Sequence, residues 1–233
     1  MIKTYIMDCR LFEDQAVFSR ALELISPYRR QKAALLRHEN DKKRSLAASF
    51  ALNAALKAYD LEERMMEYDI GKQGKPFFRD YPDICFSLSH SGDYAICSIG
   101  DQDIGNDIER IREGKERVAE RFFAGEELSW IADAGTVREK DERIFRVWTM
   151  KESFLKVTGF GMALPLTDFA VITQAGAVSS VRQQVNDKTY YLREYDMPPS
   201  FREANEYKIS LCSESKEFAE ALIVAVLPAV IEI

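Results

Sequence analysis

The sequence predicts a mixed α+β fold. Three observations predict it. Helical periodicities give way to short β-prone runs, the same succession recurs later in the chain, and no repeat, low-complexity tract or obvious linker intervenes. At 233 residues the chain suits two small, tightly fused halves or one large α/β domain.

Ile2 to Met7 is apolar and β-prone, which predicts a strand. Asp14 to Ile25 places Val17, Ala21, Leu22, Leu24 and Ile25 at helical spacing. Ser26-Pro27 is an N-cap followed by proline at the first helical position, predicting a helix from Pro27 to about His38. Asn40 or Asp41 opens a longer, alanine-rich helix reaching Tyr59, expected at the centre of a core. From Met66 strands take over, punctuated by Gly71 and Gly74. Ile84–Leu88 and Tyr94–Ile99 read as strands around a turn at Ser89–Asp93. A second turn at Gly100–Gln102 leads into Ile104–Glu109, so a three-strand meander is expected. Arg117–Phe123 and Glu126–Ala132 are helical, and Arg138–Thr158 is a long helix that Gly159 can end. Short β-like runs follow at Phe169–Thr173, Thr189–Tyr195, Tyr207–Cys212 and Ala221–Leu227. Arg110–Lys115, the most polar connection near the middle, marks the boundary between halves.

Composition excludes several function classes. A formal net charge of −6 is a poor match for nucleic acid. The N-terminus lacks the basic and apolar segments of a signal peptide. The most apolar run, Ala221–Ile231, is too short to span a bilayer and contains Pro228. None of the four cysteines has Cys-x-x-Cys spacing, so buried thiols in a reducing cytoplasm are expected rather than disulfides or zinc. With His38 and His90 as the only histidines, a histidine-based metal site is excluded.

Four groups of residues carry possible chemistry. Asp107 and Glu109 alternate onto one face at a strand end, where a hard cation such as Mg²⁺ would relieve their repulsion; a solvated strand end explains the pair as well. Trp148, Glu152 and Lys156 share a helix face, with Lys151 beside them. That stripe offers a metal-binding carboxylate and two phosphate-binding cations, or simply a helical ion pair. Ser87-Leu88-Ser89-His90-Ser91-Gly92 could hold an anion. Arg29, Arg30, Lys32, Arg37, Lys42, Lys43 and Arg44 concentrate positive charge on two consecutive helices, followed by Lys75. The alternative for these is a solvated helix face. No phosphate-binding glycine loop is present.

In this order the groups resemble the phosphopantetheinyl transferases of the surfactin-synthetase-activating type. The resemblance rests on Gly74-Lys75-Pro76, Phe86 to Gly92, Ile104 to Glu109, Arg121-Phe122-Phe123 with Glu127, Trp148 to Lys156, and the trailing Gly159, Gly161 and Leu164-Pro165-Leu166. It covers about Ser26 to Val171. Asn106 departs from the family's usual aliphatic residue, but points away from Asp107 and removes no ligand. The resemblance implies two similar, pseudo-twofold-related halves, 1–104 and 105–233, each a small sheet packed with helices, with the active site in the cleft between them. It implies coenzyme A as donor, a serine of an acyl or peptidyl carrier protein as acceptor, and adenosine 3′,5′-bisphosphate as product. Mg²⁺ is then expected on Asp107, Glu109 and Glu152, with Lys156 and the less secure Lys151 at the pyrophosphate. Arg29, Lys32, Arg44 and His90 are expected at the 3′-phosphate with Ser89 nearby, and Lys75 and Pro76 at the adenine end. Glu152 is the expected base, with Glu127 or a water as alternatives. A cytoplasmic monomer is expected. Two rivals stay open here: a Mg²⁺-dependent nucleotide phosphohydrolase, and a non-catalytic module binding coenzyme A or carriers.

Overall fold

The computed structural model describes residues 1–71, 74–171, 179–201, 203–229 and 231. The chain forms two compact units, Met1–Asp101 with Ala219–Ile233, and Gln102–Phe218. Each is a sheet carrying a long helix.

The first unit contains β1 (Lys3–Asp8), α1 (Gln15–Glu23), α2 (Pro27–Ala34), α3 (Glu39–Leu56), β2 (Tyr68–Ile70), β3 (Pro76–Phe78), β4 (Cys85–Ser91) and β5 (Tyr94–Gly100). Asp14 caps α1 by accepting from the N–H groups of Ala16 and Val17. Ser26 caps α2 by accepting from Arg29 N, with Pro27 at the first helical position. α2 stops at Ala34 rather than reaching His38, because no residue between Ala33 and Ser45 is buried to hold a further turn. α3 is apolar around most of its circumference from Ser45 onward, and packs on β1, β4 and β5 as the expected core helix.

β4 and β5 form a hairpin in which Ser91 pairs with Tyr94, so only Gly92 and Asp93 make the turn. The expected turn at Ser89–Asp93 was too wide: Ser89 and His90 are strand residues. The expected meander also does not form. β6 (Ile104–Arg110) pairs with β10 (Tyr207–Ser213) in the second unit instead of extending the β4–β5 pair. Adjacency along the chain does not choose a strand's partner; burial of its face does.

The second unit continues with α4 (Glu116–Phe122), α5 (Gly125–Ala132), α6 (Val137–Thr158), β7 (Ala170–Val171), β8 (Ser179–Arg182) and β9 (Tyr191–Tyr195). Its antiparallel sheet has the order β6-β10-β9-β8-β7. Thr136 caps α6, and Gly159 ends it in the left-handed conformation (φ 70°). β8 was not anticipated from the sequence. Of the expected strand Phe169–Thr173, positions 172 and 173 lie outside the described residues.

The last strand, β11 (Ile223–Val224), returns to the first unit and pairs in parallel with Tyr5 and Ile6, giving the order β11-β1-β5-β4. Residues 219–233 thus group with the N-terminal unit, whereas the expected division placed them with 105–218. Among the described residues no helix is long and apolar enough to cross a membrane.

All four cysteines are free, and Cys9, Cys97 and Cys212 are buried while Cys85 is half-buried. Burial pushes the three enclosed thiols far above their usual range. A thiol-reactive disulfide reagent at neutral pH should therefore label Cys85 alone in the folded protein and all four after unfolding. Rapid native labelling at a second cysteine would contradict this core.

Candidate active site

The site in the second unit depends on how closely α6 lies on β6. A Cβ placed on Gly105 would stand 1.8 Å from the Ser153 carbonyl oxygen and 2.6 Å from the Val157 nitrogen. Only glycine lets the helix backbone rest there. Gly105 therefore faces α6, and by strand alternation Asp107 and Glu109 face it too. Further contacts hold the helix in register. Thr149 Oγ1 and Ser210 Oγ share a buried hydrogen bond of 2.9 Å, and Ser210 is the cross-strand partner of Asp107. Arg146 Nε donates to both Glu194 oxygens at 2.7 and 2.8 Å, tying α6 to β9.

This packing brings Asp107, Glu109, Glu152 and Lys156 together. Asp107 is buried, and its Oδ1 accepts from Lys156 Nζ at 2.8 Å. The same ammonium donates to the Asn106 carbonyl at 2.8 Å. Asn106 itself is fully buried, on the strand face opposite Asp107. Glu109 is half-buried and accepts from Arg112 Nη2 at 3.2 Å. The Glu152 carboxyl is held above the usual range, first by burial and then by Asp107 and Glu109, with Lys156 opposing. Glu152 thus feels the other two carboxylates, while Lys156 bonds Asp107 and the Asn106 carbonyl.

Among the described residues no three acidic, histidine or cysteine side chains already converge at metal-binding distance. The donor chemistry nonetheless fits a hard divalent cation. The set is all oxygen, it is partly buried, and its mutual repulsion shows in Glu152.

Lys151 and Glu127 do not join this group, which corrects two expectations. Lys151 is fully enclosed and points away from Glu152. Its ammonium lies 2.9 Å from Glu127 Oε2 and donates to the carbonyls of Leu166 and Phe169 at 2.7 and 2.8 Å. Glu127 accepts in turn from Ala124 N at 2.7 Å and Val171 N at 2.8 Å. Burial pushes Glu127 up and Lys151 down, and each partner's charge opposes the shift. An ammonium with three acceptors has no donor left for a phosphate, and a buried carboxylate held by that ammonium and two backbone N–H groups is engaged inside the fold. The pair ties α5, α6 and the segment around Leu166–Val171 together.

In the first unit Arg44 reaches from α3 to the β4–β5 turn, donating to Gly92 O at 3.1 Å and Asp41 Oδ1 at 2.5 Å. Hydrogen bonding to Arg44 holds the Asp41 carboxyl below its usual range, with His38 and His90 contributing. Arg44, His90 and Asp41 therefore form one cluster, with His90 exposed. Ser89 does not share that surface: adjacent strand residues face opposite ways, and Ser89 is buried. Arg29 is also buried, giving Nε to Ser49 Oγ at 2.9 Å and Nη2 to Ser45 O at 3.0 Å. Its charge is committed to joining α2 and α3, contrary to the expected phosphate contact. Lys32 is exposed, with its ammonium 5.6 Å from the Tyr28 ring centroid. Lys75 and Pro76 are half-buried at the start of β3.

Sequence reading missed two features. One is the close approach at Gly105, whose only local signal is a glycine inside a strand pattern. The other is buried Glu63 at the foot of α2, which accepts from Ser26 and Tyr68 and looks like any other glutamate in sequence.

Comparison with known proteins identifies relatives over most of the chain. The profile of the 4′-phosphopantetheinyl transferase superfamily matches residues 103–212. The 4′-phosphopantetheinyl transferase Sfp of Bacillus subtilis (strain 168) is 31% identical over 205 residues, covering 86% of this chain and 87% of its own. A second 4′-phosphopantetheinyl transferase of Bacillus subtilis is 30% identical over 204 residues, covering 87% and 88%. A holo-(acyl-carrier-protein) synthase from Bacillus anthracis str. Ames, in a crystal structure with CoA (3′,5′-ADP), aligns with a TM-score of 0.40 and 16% identity, over 48% of this chain and 93% of its own.

Two stability experiments test the packing. Gly105→Ala should cost at least about 1–3 kcal/mol in urea unfolding, since the clash is with backbone and cannot be relieved by a rotamer. Lys151→Met should cost about 3–5 kcal/mol by leaving Glu127 buried and unpaired. Adding Glu127→Gln should recover part of that loss. A neutral Lys151→Met would remove the pair from the list of what holds α6.

Proposed function

Since this chain belongs to the 4′-phosphopantetheinyl transferase superfamily, we propose that it transfers the 4′-phosphopantetheine arm of coenzyme A to a serine of an apo acyl or peptidyl carrier protein. The observation that carries the reading is the Asp107, Glu109, Glu152 and Lys156 group gathered by the α6–β6 contact. The acceptor serine oxygen forms a bond to the phosphorus nearest the pantetheine. The bond from that phosphorus to the bridging oxygen breaks, and adenosine 3′,5′-bisphosphate leaves.

Asp107, Glu109 and Glu152 would hold Mg²⁺, which supplies charge neutralisation and orientation at the pyrophosphate. Lys156 is an ammonium able to exchange Asp107 for a phosphate oxygen as charge develops on the leaving group. Glu152 takes the serine proton. The transfer passes directly or through a water, and Glu127 is already committed to Lys151. Lys32, Arg44 and His90 take the 3′-phosphate, and Lys75 and Pro76 the adenine end. Arg29 and Ser89 support these positions from within the fold.

Incubation with coenzyme A, Mg²⁺ and a panel of apo carrier proteins should add the phosphopantetheine mass to at least one of them. Absence of any mass gain with folded protein would overturn the reading; release of inorganic phosphate from nucleotides without a carrier would favour a phosphohydrolase. Glu152→Ala should lower transfer by roughly 10²–10⁴-fold or more while calorimetric binding of coenzyme A largely survives. Asp107→Ala should abolish the response of activity to added Mg²⁺; an unchanged metal titration would remove Asp107 from the metal set.

A further inference from the structure

Glu63 is fully buried, and its carboxylate is hydrogen-bonded to Ser26 and Tyr68. Its Oε2 accepts from Ser26 N at 2.9 Å, and its Oε1 accepts from Ser26 Oγ and Tyr68 OH, both at 2.6 Å. Its own N–H donates to Asn53 Oδ1 on α3 at 2.9 Å. The carboxylate therefore joins the first residue of β2 to the N-cap of α2, and the backbone N–H of the same residue meets the last turn of α3.

Each joined segment carries a residue assigned above to the adenosine end of coenzyme A. Ser26 Oγ, while donating to Glu63, accepts from Arg29 N at 3.2 Å and so starts α2, the helix of Lys32. The Tyr68 ring stacks on Tyr28 at 4.5 Å, and Tyr28 in turn lies under the Lys32 ammonium. Tyr68 also pairs with Phe78 on β3, the strand that begins with Pro76 beside Lys75. The backbone N–H of Glu63 meets Asn53 on α3, the helix that bears Arg44, and that bond is independent of the carboxylate. Burying a carboxylate is costly unless its oxygens are fully engaged. An apolar residue could fill this space but could not hold α2 and β2 to each other at hydrogen-bond distances.

We propose that Glu63 is a positioning residue for the 3′-phosphate of coenzyme A, holding α2 and the β2–β3 hairpin in the one arrangement that presents Lys32 and its neighbours to that group. The proposal rests on the assignment of the 3′-phosphate made above. Its test is calorimetric binding of coenzyme A and of 3′-dephospho-coenzyme A to the full-length protein, the Glu63→Gln variant and the Tyr68→Phe variant, with thermal unfolding in parallel. Gln keeps the shape of Glu63 but cannot accept from both Ser26 N and the two hydroxyls. Tyr68→Phe keeps the ring stack and removes one hydrogen bond.

Glu63→Gln should weaken coenzyme A binding about tenfold, the equivalent of one charge-assisted contact, and weaken dephospho-coenzyme A clearly less, since that donor keeps the adenine but lacks the 3′-phosphate. Tyr68→Phe should do the same to a smaller degree, and turnover at saturating coenzyme A should stay near wild type. If Glu63→Gln does not fold, Tyr68→Phe decides alone. Variants that keep the full wild-type preference for coenzyme A, or lose affinity for both donors equally, overturn the inference. A wild-type protein that binds both donors equally overturns the 3′-phosphate assignment itself, and the inference with it. Both outcomes are read without turnover, so they are separate from the carrier-modification experiment.

Discussion

The second unit is organised by a helix backbone resting on a strand backbone. At Gly105 the gap between α6 and β6 has no room for even a methyl group. That contact sets the height of α6 above the sheet. The helical rise then delivers Glu152 and Lys156 to the level of Asp107, which a two-residue strand step from Gly105 places on the same face. Thr149 with Ser210, and Arg146 with Glu194, prevent the helix from rotating or sliding away from this register. The acidic residues can then be close to one another only because the neighbouring apolar surface of α6, including Met150, Phe154 and Leu155, is buried in a core that outweighs their repulsion.

Both units use buried charge as a joint. Glu127 with Lys151 fastens α5 and α6 to the chain that follows them, and Glu63 with Ser26 and Tyr68 fastens α2 to β2. Every polar atom named in these joints meets a partner of opposite sense, which is what makes such burial tolerable. The two glutamates differ in one respect. Glu127 balances an ammonium, whereas Glu63 is held by hydroxyl and amide donors. Two cations on the helices so fastened, exposed Lys32 in one unit and half-buried Lys156 in the other, are thus set on rigid supports. A phosphate that meets preplaced charges costs less ordering than one that must gather mobile side chains.

The sequence by itself determined most of the secondary structure and the identity of the acidic group. Capping residues Asp14, Ser26-Pro27, Thr136 and Gly159 set helix ends through bonds made within a few residues, so they could be read locally. Strand alternation put Asp107 and Glu109 on one side, and helical spacing put Glu152 with Lys156, again from local geometry. What only the tertiary structure decided was partnership over distance. β6 pairs with β10 rather than β5, β11 returns to β1, and Ser89 parts from His90 because β4 continues through both. The same holds for the fate of charges. Lys151 and Arg29 read in sequence as ligand-facing groups and Glu127 as an alternative base, and each is consumed inside the fold chiefly by partners fifteen or more residues away, the local bond from Ala124 N to Glu127 excepted. A side chain's neighbours in space depend on which faces are buried together, and that depends on the whole core, not on a residue's own stretch of chain.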